Sequence, residues 1–250
     1  MSPSTVSFIA LILIFLSALT GIFVQSSLPE HHLSDDSKTI IKAARSVVVG
    51  LAALTLGMMI ATAKDSFNRK ELELKSGASN MIVLNRLLAN IGDRSVSARN
   101  ALKLVAINGI KIIEVTSREG RHADVLRGEE VDTLQKELLK LPEEGADEKW
   151  LKNAALGLGK EIAVSRWKIY QNSSATVSVM FIGILVFWLM AIFFSLGLIS
   201  PLNAAVLTAL LMAALSMTGA ILLTLELDQP YGGLIQISTE PLKMALAQFL

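Results

Sequence analysis

The stretch from Val177 to Leu225 reads VSVMFIGILVFWLMAIFFSLGLISPLNAAVLTALLMAALSMTGAILLTL and contains no Asp, Glu, Lys or Arg. About 20 residues of helix cross the hydrocarbon core of a bilayer, so this run is long enough for two crossings. It is interrupted at Ser200-Pro201, where proline cannot continue a helix. The stretch therefore reads as a helical hairpin, with spans at residues 177–199 and 202–225.

Working outward, two more apolar runs, Phe8–Val24 and Ser46–Ala63, are each long enough to span. The first has no Lys or Arg before it and no small-residue cleavage site after Gln25, so it reads as a retained span rather than a signal peptide. Of all residues 52% are hydrophobic and the mean hydropathy is +0.53, above what one apolar core in a water-soluble domain requires. The fold class is all-α: an integral membrane protein with four transmembrane helices and a helical insert between the second and third. Its segments are residues 1–63 (first pair of spans), 64–174 (insert), 175–225 (hairpin) and 226–250 (tail).

Charge sets the expected orientation. Of the 23 Lys and Arg residues, 19 lie between Lys64 and Lys168, and near the membrane these include Lys64, Arg69, Lys70, Lys75, Lys160, Arg166 and Lys168. Basic residues beside spans stay on the cytoplasmic side, which puts the insert and both termini there and Gln25–Ala44 outside.

The insert carries apolar residues at helical spacing. After Phe67, the positions Leu74, Gly77, Met81, Leu84, Leu88 and Ile91 recur at steps of three and four, one stripe of a helix continuing from the second span. That stripe fits packing within the insert or a seam between subunits. Gly92-Asp93 ends this helix, Ser95 or Ser97 can cap a second to about Val115, and Gly120 and Gly128 punctuate a charged connection. A third helix is expected over Glu130–Leu141, and a turn at Pro142-Glu143-Glu144-Gly145 leads to a last helix from Asp147 into the third span. Trp167 and Tyr170 fit an interfacial aromatic belt, and Trp150 fits packing.

Few residues suggest chemistry. Gly157-Leu158-Gly159-Lys160 lacks the Gly at 154 and the Ser or Thr at 161 that a phosphate-binding loop needs, since Ala154 and Glu161 stand there. His31-His32 with Asp35-Asp36 could hold a metal, but adjacent histidines do not face one site on a helix, and a solvated loop explains them. His122 beside Arg121 and Asp124 reads as surface, and Asn172-Ser173-Ser174, a glycosylation pattern, falls on the expected cytoplasmic side. Cysteine is absent, which removes thiol chemistry. No catalytic residue, cofactor site or metal site is expected, and the protein reads as a non-enzyme.

The spans carry a packing signal instead. Ala53, Gly57 and Ala61 recur four apart in the second span, and Ala205, Ala209 and Ala213 do so in the fourth. Small residues at that spacing let helices approach closely in lipid, within a subunit or between subunits. No charge sits mid-span, so a proton relay lacks its marker. A pore lined by small, hydroxyl and apolar residues remains open, with Thr55, Thr62, Lys64, Asp65 and Ser66 as candidates for its lining and inner mouth. Lys64 and Asp65 equally well mark the membrane boundary.

The runs Leu56–Phe67 and Ile82–Gly92, with Leu227-Asp228-Gln229-Pro230-Tyr231-Gly232-Gly233, Ile237-Ser238 and Glu240-Pro241, resemble the bacterial bestrophin-like domain family, a largely uncharacterised group of integral membrane proteins. The resemblance covers residue 45 onward. It departs at Asn85, where family members often carry Asp. The resemblance implies a homo-oligomer, after the pentameric bestrophins, in the bacterial inner membrane. It implies an ion channel passing small inorganic anions, with no nucleic-acid partner. A non-conducting scaffold that recruits a cytoplasmic partner is the other reading.

In the tail, Glu226 and Asp228 fall where the lipid ends, and Pro230 with Gly232-Gly233 breaks the helix and reverses the chain. Ser238 or Thr239 can cap a final helix begun by Glu240-Pro241, with Leu242, Ala245, Leu246 and Phe249 on one face. Lys243 is its only basic residue, too few for a membrane-surface helix, so the tail is expected to fold back as a clasp onto the cytoplasmic helices or a neighbouring subunit.

Overall fold

The computed structural model describes residues 2–27, 34–119, 128–171 and 177–249. Among them the regular structure is all helical: α1 (Pro3–Ser27), α2 (Asp35–Ile91), α3 (Val96–Glu119), α4 (Glu129–Leu139), α5 (Ala146–Gln171), α6 (Val179–Ile199), α7 (Ala204–Asp228) and α8 (Glu240–Ala247). Among the described residues four helices are long and apolar enough to cross a membrane: α1, α2, α6 and α7. The chain divides into two compact units, Met1–Ser66 with Ala175–Asp228, and Phe67–Ser174 with Gln229–Leu250.

In the first unit α1 packs chiefly on α6 and then on α7. The α1–α6 crossing has no room for side chains. A Cβ added at Gly21 would lie 2.2 Å from the Phe194 carbonyl oxygen, and one added at Gly197 would lie 2.1 Å from that of Ala18. Two glycines thus let each backbone sit against the other helix's backbone, the device by which apolar helices associate where lipid removes the hydrophobic drive. Ser17 adds a bond, its Oγ lying 2.7 Å from the Ile14 carbonyl and 3.0 Å from that of Met190. Contacts advance together along both chains, Ser17 with Met190 and Gly21 with Phe194, so α1 and α6 run parallel. At the other turn of the bundle, the Asp228 carboxylate accepts the Val177 N–H at 3.1 Å. The end of α7 therefore meets the start of α6, and the starts of α1 and α6 share one end of the bundle with the end of α7.

The second unit is built around the extension of α2. Leu74, Gly77, Met81, Leu84 and Leu88 are buried within the chain, and Gly77 faces Ser165 of α5, where a Cβ would sit 3.5 Å from its Cβ. The apolar stripe thus packs inside the unit rather than forming a seam between subunits. Gly92 ends α2 with φ of 76°, a left-handed conformation that a side chain disfavours. A 3-10 turn at Gly92–Ser95 follows. Neither predicted serine caps α3 by accepting an N–H: the Ser95 hydroxyl instead donates to the carbonyls of Leu88 and Gly92, satisfying acceptors at the end of α2, and Ser97 is exposed.

Helices α3, α4 and α5 pack in succession. Arg166 of α5 pairs with Glu130 of α4, with side-chain exposures of 16% and 10%. Burial pushes the Arg166 guanidinium down from its ordinary range, and Glu130 partly offsets this. The α4–α5 turn is fastened by Lys152 on Glu143 and by Arg94 on Glu148. The Lys152 ammonium, hydrogen-bonded to Glu143, holds that carboxyl below the usual carboxylate range. Trp150 does not pack in the core; it is 65% exposed, because α5 turns Lys152, Ala155, Gly159 and Ile162 inward instead. Gly157 and Gly159 are interior residues of α5, not a loop. Gly120, His31, His32, His122 and the Asn172-Ser173-Ser174 pattern lie outside the described residues, as does the junction from α5 to the third span.

Candidate functional site

The helix that the sequence nominates, α2, has two sides along its apolar part. Ala52, Met59 and Ala63 are buried. The opposite side, with Gly50, Ala53, Gly57, Ala61 and Lys64, is exposed. Cβ atoms added at Gly50 or Gly57 would meet nothing within 4 Å.

This geometry corrects one half of the packing expectation. Ala53, Gly57 and Ala61 do not pack within the chain, and neither do Ala205 and Ala209, which are exposed on α7; Ala213 is half-buried. Close approach inside the bundle is made by Gly21 and Gly197, which do not share a four-residue repeat and so gave no periodic signal. The small residues of α2 instead form a continuous open face, which Gly50 extends by a turn towards the N-terminal end of the helix.

The pore candidates separate by position. Thr62, Lys64 and Asp65 are exposed, and Thr55 is half-buried. Ser66 is buried at 4% exposure, a helical turn from Ala63 on the covered side of α2. Among the described residues no three His, Cys, Asp or Glu side chains cluster as a metal site.

The tail candidates divide between the two units. Glu226 and Asp228 are buried at 3% and 2% exposure at the end of α7. In the second unit the chain turns at Pro230, whose carbonyl accepts the Ile237 N–H at 3.0 Å, while Gly232 bonds back to Gln229 at 3.2 Å. Pro230 is buried, Gly232 exposed and Gly233 half-buried. Tyr231 is buried, and its hydroxyl has no hydrogen-bond partner among the described residues. Burial, and then the nearby Glu73 charge, push its phenol above the ordinary tyrosine range. Thr239 makes no side-chain cap on α8; the Ser238 hydroxyl accepts the Glu240 N–H at 3.1 Å, and Pro241 occupies the first turn.

Helix α8 packs on α3 of its own chain. Leu242 lies over Gly109, 3.5 Å from where a Cβ would be, and Lys243 pairs with Glu114 at 3.7 Å. At the far end, Asn85 Nδ2 donates to the Gln248 carbonyl at 2.9 Å, and Arg99 Nε donates to Asn85 Oδ1 at 3.0 Å. Sequence reading singled out Asn85 only as a departure from a pattern. Its two partners lie far along the chain, so no spacing could reveal them.

Four apolar helices and a second helical unit formed largely from the segment between the second and third of them define a polytopic, all-helical membrane protein. The chain belongs to the bestrophin-like family: the model of the Bestrophin-like domain matches residues 12–242. No curated protein matches it. Among solved structures it is similar to a bacterial bestrophin homologue from Klebsiella pneumoniae carrying a single substitution, with TM-score 0.68, 13% identity and 97% of each chain covered. It is also similar to two structures described only as a membrane protein. One has TM-score 0.71 and 14% identity over 97% of each chain; the other has TM-score 0.70 and 14% identity over 98% of this chain and 97% of that one. At these identities the likeness is one of fold.

Proposed function

We propose that the protein is a homo-oligomeric ion channel of the inner membrane that passes small inorganic anions, with the open face of α2 turned to a central axis. The observation that carries this reading is that face itself. Gly50, Ala53, Gly57 and Ala61 leave room along one side of a span, and Lys64 stands at its end. A ring of such helices encloses a path whose width is set by the missing side chains, and a lysine at the inner mouth raises the local anion concentration. Thr62 and Asp65 flank the same mouth, and Thr55 lies at its edge. A pentamer is the assembly that the family resemblance suggests, with both termini and the second unit on the cytoplasmic side, where the density of basic residues favours them.

Reconstitution into a planar bilayer tests the reading. Current whose reversal potential follows an asymmetric chloride gradient is the expected result; no current above control from an intact oligomer refutes it.

A non-conducting scaffold is the second reading, and α5 favours it. Trp150, Asn153, Gly157, Lys160, Val164 and Trp167 follow steps of three and four along an exposed face, with Trp150 at 65%, Val164 at 45% and Trp167 at 59% exposure. That spacing suits a partner helix. In that case the protein conducts nothing and its second unit retains a soluble partner. We read it as a non-enzyme in either case.

A further inference from the structure

The Arg99–Asn85–Gln248 chain is electrostatically directional. Arg99 is cationic, and its Nε–H points at the oxygen end of a neutral amide. The nitrogen end of the same amide points at the carbonyl of Gln248, the residue that closes α8 at its C-terminus. The C-terminal end of a helix carries partial negative charge from its unsatisfied carbonyls. The Asn85 dipole therefore lies head to tail between a positive group and a negative helix end, and each hydrogen bond polarises the other. Asn85 itself is buried at 5% exposure, while its partners Arg99 and Gln248 reach the surface, so the amide is the covered link of the chain.

We infer that Asn85 relays the charge of Arg99 to the C-terminal end of α8, and that this relay is the latch holding the tail that follows α7 against the helix that continues the second span. In this chain the amide serves both bonds because it accepts on one side and donates on the other. A carboxylate of the same shape keeps the Arg99 bond but presents an acceptor, with negative charge, to a carbonyl at the negative end of a helix. Aspartate at 85 is therefore worse for α8 than alanine, which only leaves the two bonds unmade. Two other contacts of α8, Leu242 over Gly109 and Lys243 on Glu114, lie toward its opposite end, and Ala245 is buried between. The inference stands apart from whether the protein conducts.

Hydrogen–deuterium exchange on the full chain in detergent tests it, read on the amides of α8. Asn85→Asp lowers their protection by about tenfold or more, the effect of leaving a buried group unsatisfied. Asn85→Ala lowers it less. Arg99→Gln, which keeps Asn85, also lowers it, and Arg99→Lys restores most of the loss by returning the charge. Amides around Val131, Leu134 and Leu138 in α4 serve as the control for an intact fold. Wild-type protection of α8 in Asn85→Asp, a loss in Asn85→Ala as large as in Asn85→Asp, or wild-type protection in Arg99→Gln overturns the relay. Should Asn85→Asp fail to fold, the Arg99→Gln and Arg99→Lys pair decides alone.

Discussion

The reciprocal glycine contact between α1 and α6 makes a sharp prediction. Replacing Gly21 by Ala puts a methyl group 2.2 Å from the Phe194 carbonyl oxygen, and replacing Gly197 puts one 2.1 Å from the Ala18 carbonyl oxygen. Both obstacles are backbone, so neither can rotate away, and ordinary contact begins at 3.4 Å. The two helices must therefore part by about 1 Å, a gap that forfeits a quarter to a half of each dispersion contact along the crossing. Overpacking of a close-packed site costs about 1–3 kcal/mol, and the absence of any soft neighbour puts each single variant near about 3 kcal/mol. The double variant does not cost twice that, because one separation relieves both clashes; it costs little more than either single. Gly183→Ala on the same helix meets nothing within 4 Å and is the control, neutral or slightly stabilising. Reversible unfolding in mixed micelles, followed by tryptophan fluorescence, gives the four values. Singles indistinguishable from Gly183→Ala, or a fully additive double variant, would refute the parallel glycine crossing.

Three further outcomes follow from the second unit. Removing one partner of the half-buried Arg166–Glu130 pair, as in Glu130→Ala, destabilises by about 1–3 kcal/mol because a largely covered charge is left without its partner, whereas Glu130→Met with Arg166→Met recovers most of that loss in equilibrium unfolding. Of the two tyrosines, Tyr231 ionises only above the ordinary range, so its contribution to stability is present below about pH 10 and is lost as pH rises through its raised pKa. Phenolate absorbance against pH shows a late phase that Tyr231→Phe removes; a single early phase in the wild type contradicts the burial. Conversely, Glu143 is held low by Lys152, so its contribution is present above the ordinary glutamate pKa and is lost as pH falls through the lowered value. Proteolysis at the α4–α5 turn then rises in acid for the wild type and is already high at neutral pH in Lys152→Ala.

The spans were legible because charge is forbidden in hydrocarbon over about 20 residues, a constraint each of the four apolar runs displays without reference to any other part of the chain. The stripe from Leu74 to Leu88 was legible for the same local reason, but its partner was not: Gly77 meets Ser165, and nothing near Gly77 encodes that. The small-residue repeats suggest close packing, yet inside the chain Ala53, Gly57 and Ala61 stay open on α2, as Ala205 and Ala209 do on α7. The real intra-chain crossing rests on two isolated glycines separated by most of the sequence. The tail's turn was carried by Pro230 and Gly232, whose backbone preferences act locally. The latch at Asn85 depends on Arg99 and Gln248, and the burial of Trp150 was overestimated because aromatic character says nothing about which face of α5 turns inward.

The open face of α2 is the centre of the functional reading, and filling it tests that reading most directly. In a planar bilayer under asymmetric chloride, the wild-type oligomer passes current that reverses near the chloride equilibrium potential, and Gly57→Leu, which adds bulk where a Cβ meets nothing within 4 Å of its own chain, reduces that current sharply while the oligomer stays intact. Wild-type current unchanged by Gly57→Leu, or no current from an intact wild-type oligomer, would contradict it.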